Sequence, residues 1–216
     1  MAKTTSDSTG PNSANSTDDV RCQSIPWESL RLAYLLLPLL GAALGVGLCN
    51  RYDWARCLAV AVDGGLTLRG RRLFGNNKTV RGVLAGALGT AVVMTLQAEV
   101  GHRLGPVRVL EYVDYSAIRP WRFGFLLGLA RMLSELPNSF VKRQLDIQPG
   151  QLGGGAWLPV CYLLDRFDYL PATWLVCSRL VRLTPRRAVI SIVLVFIADH
   201  LANFVGYHTG MRRSLH

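Results

Sequence analysis

Eighteen consecutive residues, Leu32–Cys49, carry no charged side chain. At 1.5 Å per residue, a helix of that length covers most of the ~30 Å hydrocarbon core of a bilayer. A second uncharged run, Gly82–Ala98, adds 17 residues. A third opens at Ala188–Ala198 and is broken by Asp199 and His200. Inside lipid every backbone amide and carbonyl must be satisfied within the protein, which leaves only helices or closed barrels. The short alternating segments of a barrel are absent. Half of the 216 residues are hydrophobic and mean hydropathy is +0.24. The expected fold is therefore all-α, a polytopic transmembrane helical bundle of about five spans. These fall near Leu30–Cys49, Thr79–Ala98, Trp121–Phe140, Trp157–Val176 and Ala188–Tyr207.

Residues 1–27 are rich in Ser, Thr, Asn and Asp and read as a polar, disordered tail ahead of a membrane domain over 28–216. The formal charge of +10 is carried between apolar segments instead of on one soluble face, which argues against a nucleic-acid partner. Arg51, Arg56, Arg69, Arg71, Arg72, Lys78 and Arg81 crowd the loop between the first two spans. Lys142 and Arg143 follow the third span, and Arg212 and Arg213 lie in the tail. In a five-span chain these all fall on one side, the cytoplasmic one by the positive-inside rule. The N-terminus is then outside and the C-terminus cytoplasmic, in the cell membrane. Arg179, Arg182, Arg186 and Arg187 fall on the wrong side for that rule. The five cysteines form no CxxC pair and suggest neither a zinc site nor a disulfide framework.

Four carboxylates, Glu135, Asp165, Asp168 and Asp199, sit in or beside the spans. A carboxylate at the centre of a membrane helix costs ~3 kcal/mol, so it needs a partner or a polar cavity. Asp165 and Asp168, at i and i+3, share one helix face. With Glu135 they offer the hard oxygen ligands that suit Mg2+; a structural ion pair, such as Asp168 with Arg131, is the plainer reading.

Gly70–Gly82, GRRLFGNNKTVRG, combines glycines with Lys78 and Arg81 in a form suited to phosphate. It lacks the Gly-Lys-Ser/Thr order of a P-loop, and an ordinary basic juxtamembrane loop fits equally well. Ser139–Gly150, SFVKRQLDIQPG, carries Lys142 and Arg143 into a Pro-Gly turn. No nucleophile motif or histidine ligand spacing appears. Carboxylates, basic side chains and glycines beside a membrane suit metal-assisted phosphate chemistry better than acyl transfer.

Ser139-Phe140-Val141-Lys142-Arg143 followed by Asp165-Arg166-Phe167-Asp168 resembles the signature of the integral-membrane CTP-dependent cytidylyltransferases. That group includes phosphatidate cytidylyltransferase and CDP-archaeol synthase. KRQLDIQPG, the loop Asp63–Gly82 and the ending NFVGYHTGMR are more similar to the CDP-archaeol branch. Glu135 stands where the phosphatidate enzymes carry Asp, and their His-Gly-Gly element is missing. The resemblance implies transfer of a cytidylyl group from CTP to a lipid phosphate, archaetidic-type or phosphatidic acid, in phospholipid biosynthesis. It implies catalytic roles for Lys142, Arg143, Asp165 and Asp168. It implies Mg2+ held by Glu135, Asp165 and Asp168, and substrate contacts from Gly75, Asn77, Lys78, Thr79, Arg81 and Ser139. Expected partners are CTP, the lipid phosphate and the bilayer, with a homodimer left open. The competing class is a non-catalytic or transport-type membrane protein with an acidic ion site.

Overall fold

Pro38 lies in the middle of the first apolar run and has no N–H to give the carbonyl of Tyr34 one turn earlier. The computed structural model, which describes residues 24–115, 117–148, 151 and 158–208, shows how the bundle absorbs this. Helix α1 (Ile25–Leu36) tightens into a 3-10 turn at Leu37–Leu39 and continues as α2 (Leu40–Arg51). The freed Tyr34 carbonyl accepts a hydrogen bond of 2.8 Å from Nε2 of Gln97, a buried residue of the next helix. The Tyr34 hydroxyl donates back to the Gln97 carbonyl at 3.2 Å. A polar residue in an apolar span is thus placed where a proline leaves a backbone acceptor exposed, as lipid surroundings demand.

After α2 come a two-stranded hairpin, β1 (Thr67–Leu68) and β2 (Arg71–Arg72), and then α3 (Val80–Arg103), α4 (Pro120–Gln144), α5 (Leu158–Phe167), α6 (Tyr169–Cys177) and α7 (Pro185–His208). The hairpin pairs Thr67 with Arg72 and Leu68 with Arg71. Both tip residues, Arg69 and Gly70, have positive φ, 53° and 76°, which is the requirement of a two-residue turn between twisted strands. The all-α expectation did not include it.

Small residues hold the centre together. Gly41 and Gly45 of α2 face Gly89 and Ala85 of α3, each four residues apart, so closely that a Cβ at Gly41, Gly45 or Gly89 would overlap a backbone carbonyl. On its other side α3 presents Ala87, Thr90 and Ala91 to Gly124 and Gly128 of α4. In lipid there is no hydrophobic drive between helices, and such close backbone approach supplies the van der Waals contact instead. Leu88, Val92 and Leu96 of α3 are more than half exposed (56%, 57% and 59%), as a lipid-facing stripe requires. The second cluster joins α1, α6 and α7 through Leu32, Leu35, Trp174 and Val195.

Among the described residues, two segments are both long and apolar enough to cross a bilayer by composition, Ile25–Arg51 and Val80–Arg103. Helices α4 and α7 match that length at 25 and 24 residues but carry charges. The expected span Trp157–Val176 is corrected: it is two short helices of 10 and 9 residues meeting at Asp168. Pro171 explains the joint, since it cannot donate to the Phe167 carbonyl and its ring crowds that turn. The first helix begins at Ile25, inside the expected tail. Residues 1–23, the 152–157 stretch of the glycine-rich loop and the Asp199 side chain lie outside the described residues.

Two of the four discordant arginines have a carboxylate partner. Arg186 and Arg187 at the start of α7 place Nε 3.0 and 2.9 Å from the two carboxylate oxygens of Glu28 at the start of α1. Glu28 is buried. These two arginines therefore clamp the end of the bundle.

Candidate active site

At the opposite end, the residue 52–79 loop folds over the C-terminus of α4. Its organiser is Asp63, whose side chain is fully buried and meets Arg72 at 2.5 Å. Asp63 also accepts from the backbone N–H groups of Gly65, Phe74 and Gly75 at 3.1, 3.0 and 3.2 Å. The Arg72 guanidinium and these amides hold the Asp63 carboxyl well below the ordinary carboxylate range. Arg71 donates to the carbonyl of Gln144, capping the end of α4. The loop closes where Val62 N–H reaches the Lys78 carbonyl at 2.8 Å and Val80 N–H the Val60 carbonyl at 2.9 Å. That closure aims Lys78 at α4.

Lys78 Nζ lies 2.6 Å from Glu135 Oε2. One turn further along α4, Asn138 donates from Nδ2 to Asp165 Oδ1 at 2.7 Å and to Asp168 Oδ2 at 3.0 Å. Lys142, another turn on, pairs with Asp165 Oδ2. The sequence spacing 135, 138, 142 puts all three on one face of α4. Both aspartates reach that face because Asp168 keeps helical angles at the joint, φ −58° and ψ −28°. Arg131 does not pair with Asp168 in any described salt bridge; its guanidinium stacks 4.1 Å over Tyr169. Arg166 points the other way, over Tyr162 and toward His200 of α7.

Arg143 leans over Gly75. A Cβ at Gly75 would lie 2.9 Å from Arg143 Nε, and Gly75 itself has φ +90°, so two constraints select glycine there. Arg143 Nε and Nη1 are buried without a hydrogen-bond partner.

Several of the expected substrate residues already have partners inside the protein. The Gly75 N–H is spent on Asp63, so that backbone amide serves the loop. The Thr79 hydroxyl caps α3, accepting from the Gly82 N–H at 3.1 Å. Arg81 is committed to Asp53, Asn50 and the Trp54 carbonyl, away from the acids of α4 and α5. Ser139 is buried on α4, with no described hydrogen bond to the cluster. Asn77 and Lys78 do border the site. Asn138, the residue joining the two aspartates, was not singled out from sequence. Its signal was its place one turn before Lys142 and one after Glu135.

Among the described residues no three His, Cys, Asp or Glu side chains converge as a ready-made metal cage; Glu135, expected beside Asp165 and Asp168, pairs with Lys78. The remaining donors do suit a hard cation. Asp168 Oδ1 and Asn138 Oδ1 are both buried with no hydrogen-bond partner, next to Asp165. Two carboxylates and an amide oxygen are the donor types that Mg2+ takes alongside water and phosphate.

Helix α4 borders two cavities, one at Glu135 and one at Asn138. One, about 350 Å³, is bordered by Asn77, Lys78, Thr79, Gly82, Arg131 and Glu135, at the N-terminal end of α3. The other, about 820 Å³, is almost wholly apolar, with Pro137, Leu163, Leu164, Phe167 and Leu175 along it and Asp168 in its wall.

The model of the CarS-like family, CDP-archaeol synthase, matches residues 35–215. The CDP-archaeol synthase of Thermofilum pendens is 30% identical over 153 residues, which is 70% of this chain and 63% of that protein. That of Pyrococcus furiosus is 35% identical over 91 residues, 41% of this chain and 48% of the relative. That of Aeropyrum pernix is 31% identical over 154 residues, 70% and 76% of the two chains. The chain thus spans about half to two thirds of the length of the first two. A solved intramembrane enzyme for archaeal membrane lipid biosynthesis shares the architecture with a TM-score of 0.55 and 26% identity, over 79% of this chain and 91% of that one. With a match that runs from the end of α1 through α7 and both signature segments, the chain belongs to the CarS-like CDP-archaeol synthase family.

Proposed function

We propose that the chain is a CTP-dependent cytidylyltransferase that converts an archaetidic-type lipid phosphate and CTP to a CDP-lipid and pyrophosphate. One observation carries this reading: Asn138 bridges Asp165 and Asp168, with the Lys78–Glu135 pair one turn before it and Lys142 one turn after, and an apolar groove runs along the Asp168 side. A reaction between a nucleoside triphosphate and a lipid phosphate needs a charge-neutralising centre beside an apolar surface.

A lipid phosphate oxygen attacks the α-phosphorus of CTP, the new P–O bond forms, and the bond to the β-phosphate oxygen breaks with its electron pair leaving on pyrophosphate. The nucleophile is already an anion, so no side chain has to remove a proton. The obstacle is bringing two anions together. Lys78 and Lys142 carry ammonium groups at the level of the acids, and the unpaired guanidinium nitrogens of Arg143 face the same loop. Charge-assisted hydrogen bonds from these groups would hold phosphate oxygens, with Asn77 beside Lys78 at the border of the smaller cavity. Asp165, Asp168 and Asn138, with Glu135 beside them, would hold Mg2+, which when bound neutralises triphosphate charge and favours in-line displacement. The apolar groove would take the lipid chains.

The catalytic end is the cytoplasmic one, with the Glu28–Arg186–Arg187 clamp and the N-terminus at the outer face. The charge of the 52–79 loop supports this orientation. The named relatives are CDP-archaeol synthases, which favours the ether-lipid substrate over phosphatidic acid and gives no support to a transport role. Purified protein incubated with CTP, Mg2+ and either lipid phosphate tests the reading by mass spectrometry of the product. A CDP-lipid from the ether substrate is expected, with Asp168→Asn lowering turnover by at least ~10²-fold at an unchanged melting temperature. No CDP-lipid from either substrate would overturn it.

A further inference from the structure

The arginines of the non-catalytic end divide into two sets. Arg103, Arg108, Arg186 and Arg187 meet Glu99, Asp114 and Glu28. Arg119, Arg122 and Arg179 meet no carboxylate in the described salt bridges, yet all three border one cavity of about 750 Å³ between α4 and α6. The rest of its wall is apolar, with Phe123, Leu126, Leu129, Leu133 and Leu175. It shares the Leu175 wall with the groove that has Asp168 along it.

The dimensions match a leaflet-crossing path. From Arg119 to Asn138, α4 rises about 28 Å, close to the ~30 Å hydrocarbon thickness. Trp121 is exposed at the arginine end, with the Arg122 guanidinium 5.3 Å from its ring centre. An exposed tryptophan beside arginines marks the headgroup level. The amino end of the 25-residue α4 adds its positive dipole at the same mouth. Three positive side chains gathered at the outward end, two at the start of α4 and one after α6, run against the positive-inside tendency, so a specific anion is the economical reason for their gathering.

We infer that the α4–α6 groove binds an anionic phospholipid of the outer leaflet, its phosphate on Arg119, Arg122 and Arg179 and one chain in the groove, end to end with the substrate channel. The occupant is a lipid and not free phosphate, because the charged mouth opens directly onto an apolar trough. This site is separate from the catalytic one, and its occupation can be read without turnover.

Protein in zwitterionic detergent is titrated with phosphatidylglycerol or phosphatidylcholine, and retained lipid is counted by native mass spectrometry. Wild type should retain phosphatidylglycerol preferentially. Each arginine-to-glutamine change should weaken that retention roughly fivefold, and the triple variant roughly a hundredfold. Leu126→Trp, which leaves the charges in place and fills the trough, should also lower it. Arg182→Gln, outside the groove, should not. Inorganic phosphate at equal concentration should not displace the lipid. Equal retention of both lipids by wild type, or undiminished retention by R179Q and L126W as folded proteins, would overturn the inference. A catalytic failure of the purified chain would leave this binding result standing, so the two readings fail separately.

Discussion

The side-chain amide of Asn138 donates to Asp168 across 3.0 Å, and the same nitrogen reaches Asp165 at 2.7 Å. One neutral residue of α4 therefore fixes the spacing of two acids that belong to different short helices. Its own carbonyl oxygen is left buried and unpartnered beside them.

Replacing Asn138 by Ala should release that spacing. Groups that orient metal ligands typically contribute 10–100-fold to affinity, so N138A should raise the Mg2+ concentration needed for half-maximal activity by roughly that factor. Asn138→Asp should recover part of the affinity, because a carboxylate oxygen restores a hard donor. A titration of CDP-lipid formation against Mg2+ checks both; an unchanged midpoint in N138A removes the bridging role.

Arg143 sets up an unusual contrast between stability and activity. Its Nε and Nη1 are buried without partners, so the folded protein bears a desolvation cost that no bond offsets. Arg143→Met keeps the packing over Gly75 and should leave the melting temperature level or higher. The same change should cut kcat/KM for CTP by ~10²-fold if the guanidinium holds phosphate. Loss of stability with normal kinetics would show that the residue serves only the loop.

The sequence carried the architecture of the central helices and missed the joints. Leu32–Cys49 and Gly82–Ala98 are legible because a charge-free run has one meaning in a bilayer. The charges of Asp165 and Asp168 point to a span boundary near Asp165, with AWLPVCYLL lining a lipid entrance, but the joint itself was not legible, because AWLPVCYLL and YLPATWLVC are apolar on both sides and hydropathy averages across Pro171. Glu135, Asp165 and Asp168 stood out as charges in apolar surroundings. Asn138 did not, since an uncharged amide in a helix has no distinctive signal until its neighbours are placed. The basic loop showed its charge but not its internal assignments: Arg72 to Asp63 and Arg81 to Asp53 depend on turns set by Gly64, Gly65, Gly70 and Gly75 at positive φ, which composition cannot order.

The α2–α3 seam gives a paired test. A Cβ at Gly89 would overlap the Gly41 carbonyl, whereas one at Gly47 meets nothing within 4 Å. Gly89→Ala should cost about 1–3 kcal/mol through overpacking. Gly47→Ala should be neutral or stabilising by up to ~1 kcal/mol from helix propensity alone. Thermal unfolding in detergent micelles separates them, and equal melting temperatures would show that the two helices can slide apart without cost.

Asp63 makes the catalytic loop sensitive to acid in a defined direction. Its carboxyl lies well below the ordinary range in the folded protein because Arg72 and three backbone amides favour the charged form. The unfolded value is about 3.9. A group shifted down in this way contributes its full stability above the unfolded value and loses it progressively as pH falls below about 4. The amides of Phe74 and Gly75, which donate directly to Asp63, are the reporters. Corrected for the intrinsic chemistry of exchange, their protection should be constant from pH 7 to about 5 and decline below about 4. Asp63→Asn should remove protection at neutral pH, since deleting one member of a buried charge pair costs about 3 kcal/mol, and should abolish the acid dependence. Because the same loop aims Lys78 at Glu135, the variant should also lose CTP-dependent activity while the α2–α3 helices stay protected. Protection at Phe74 and Gly75 that survives in D63N would mean that the hairpin and the Val60–Val80 closure suffice to order the loop.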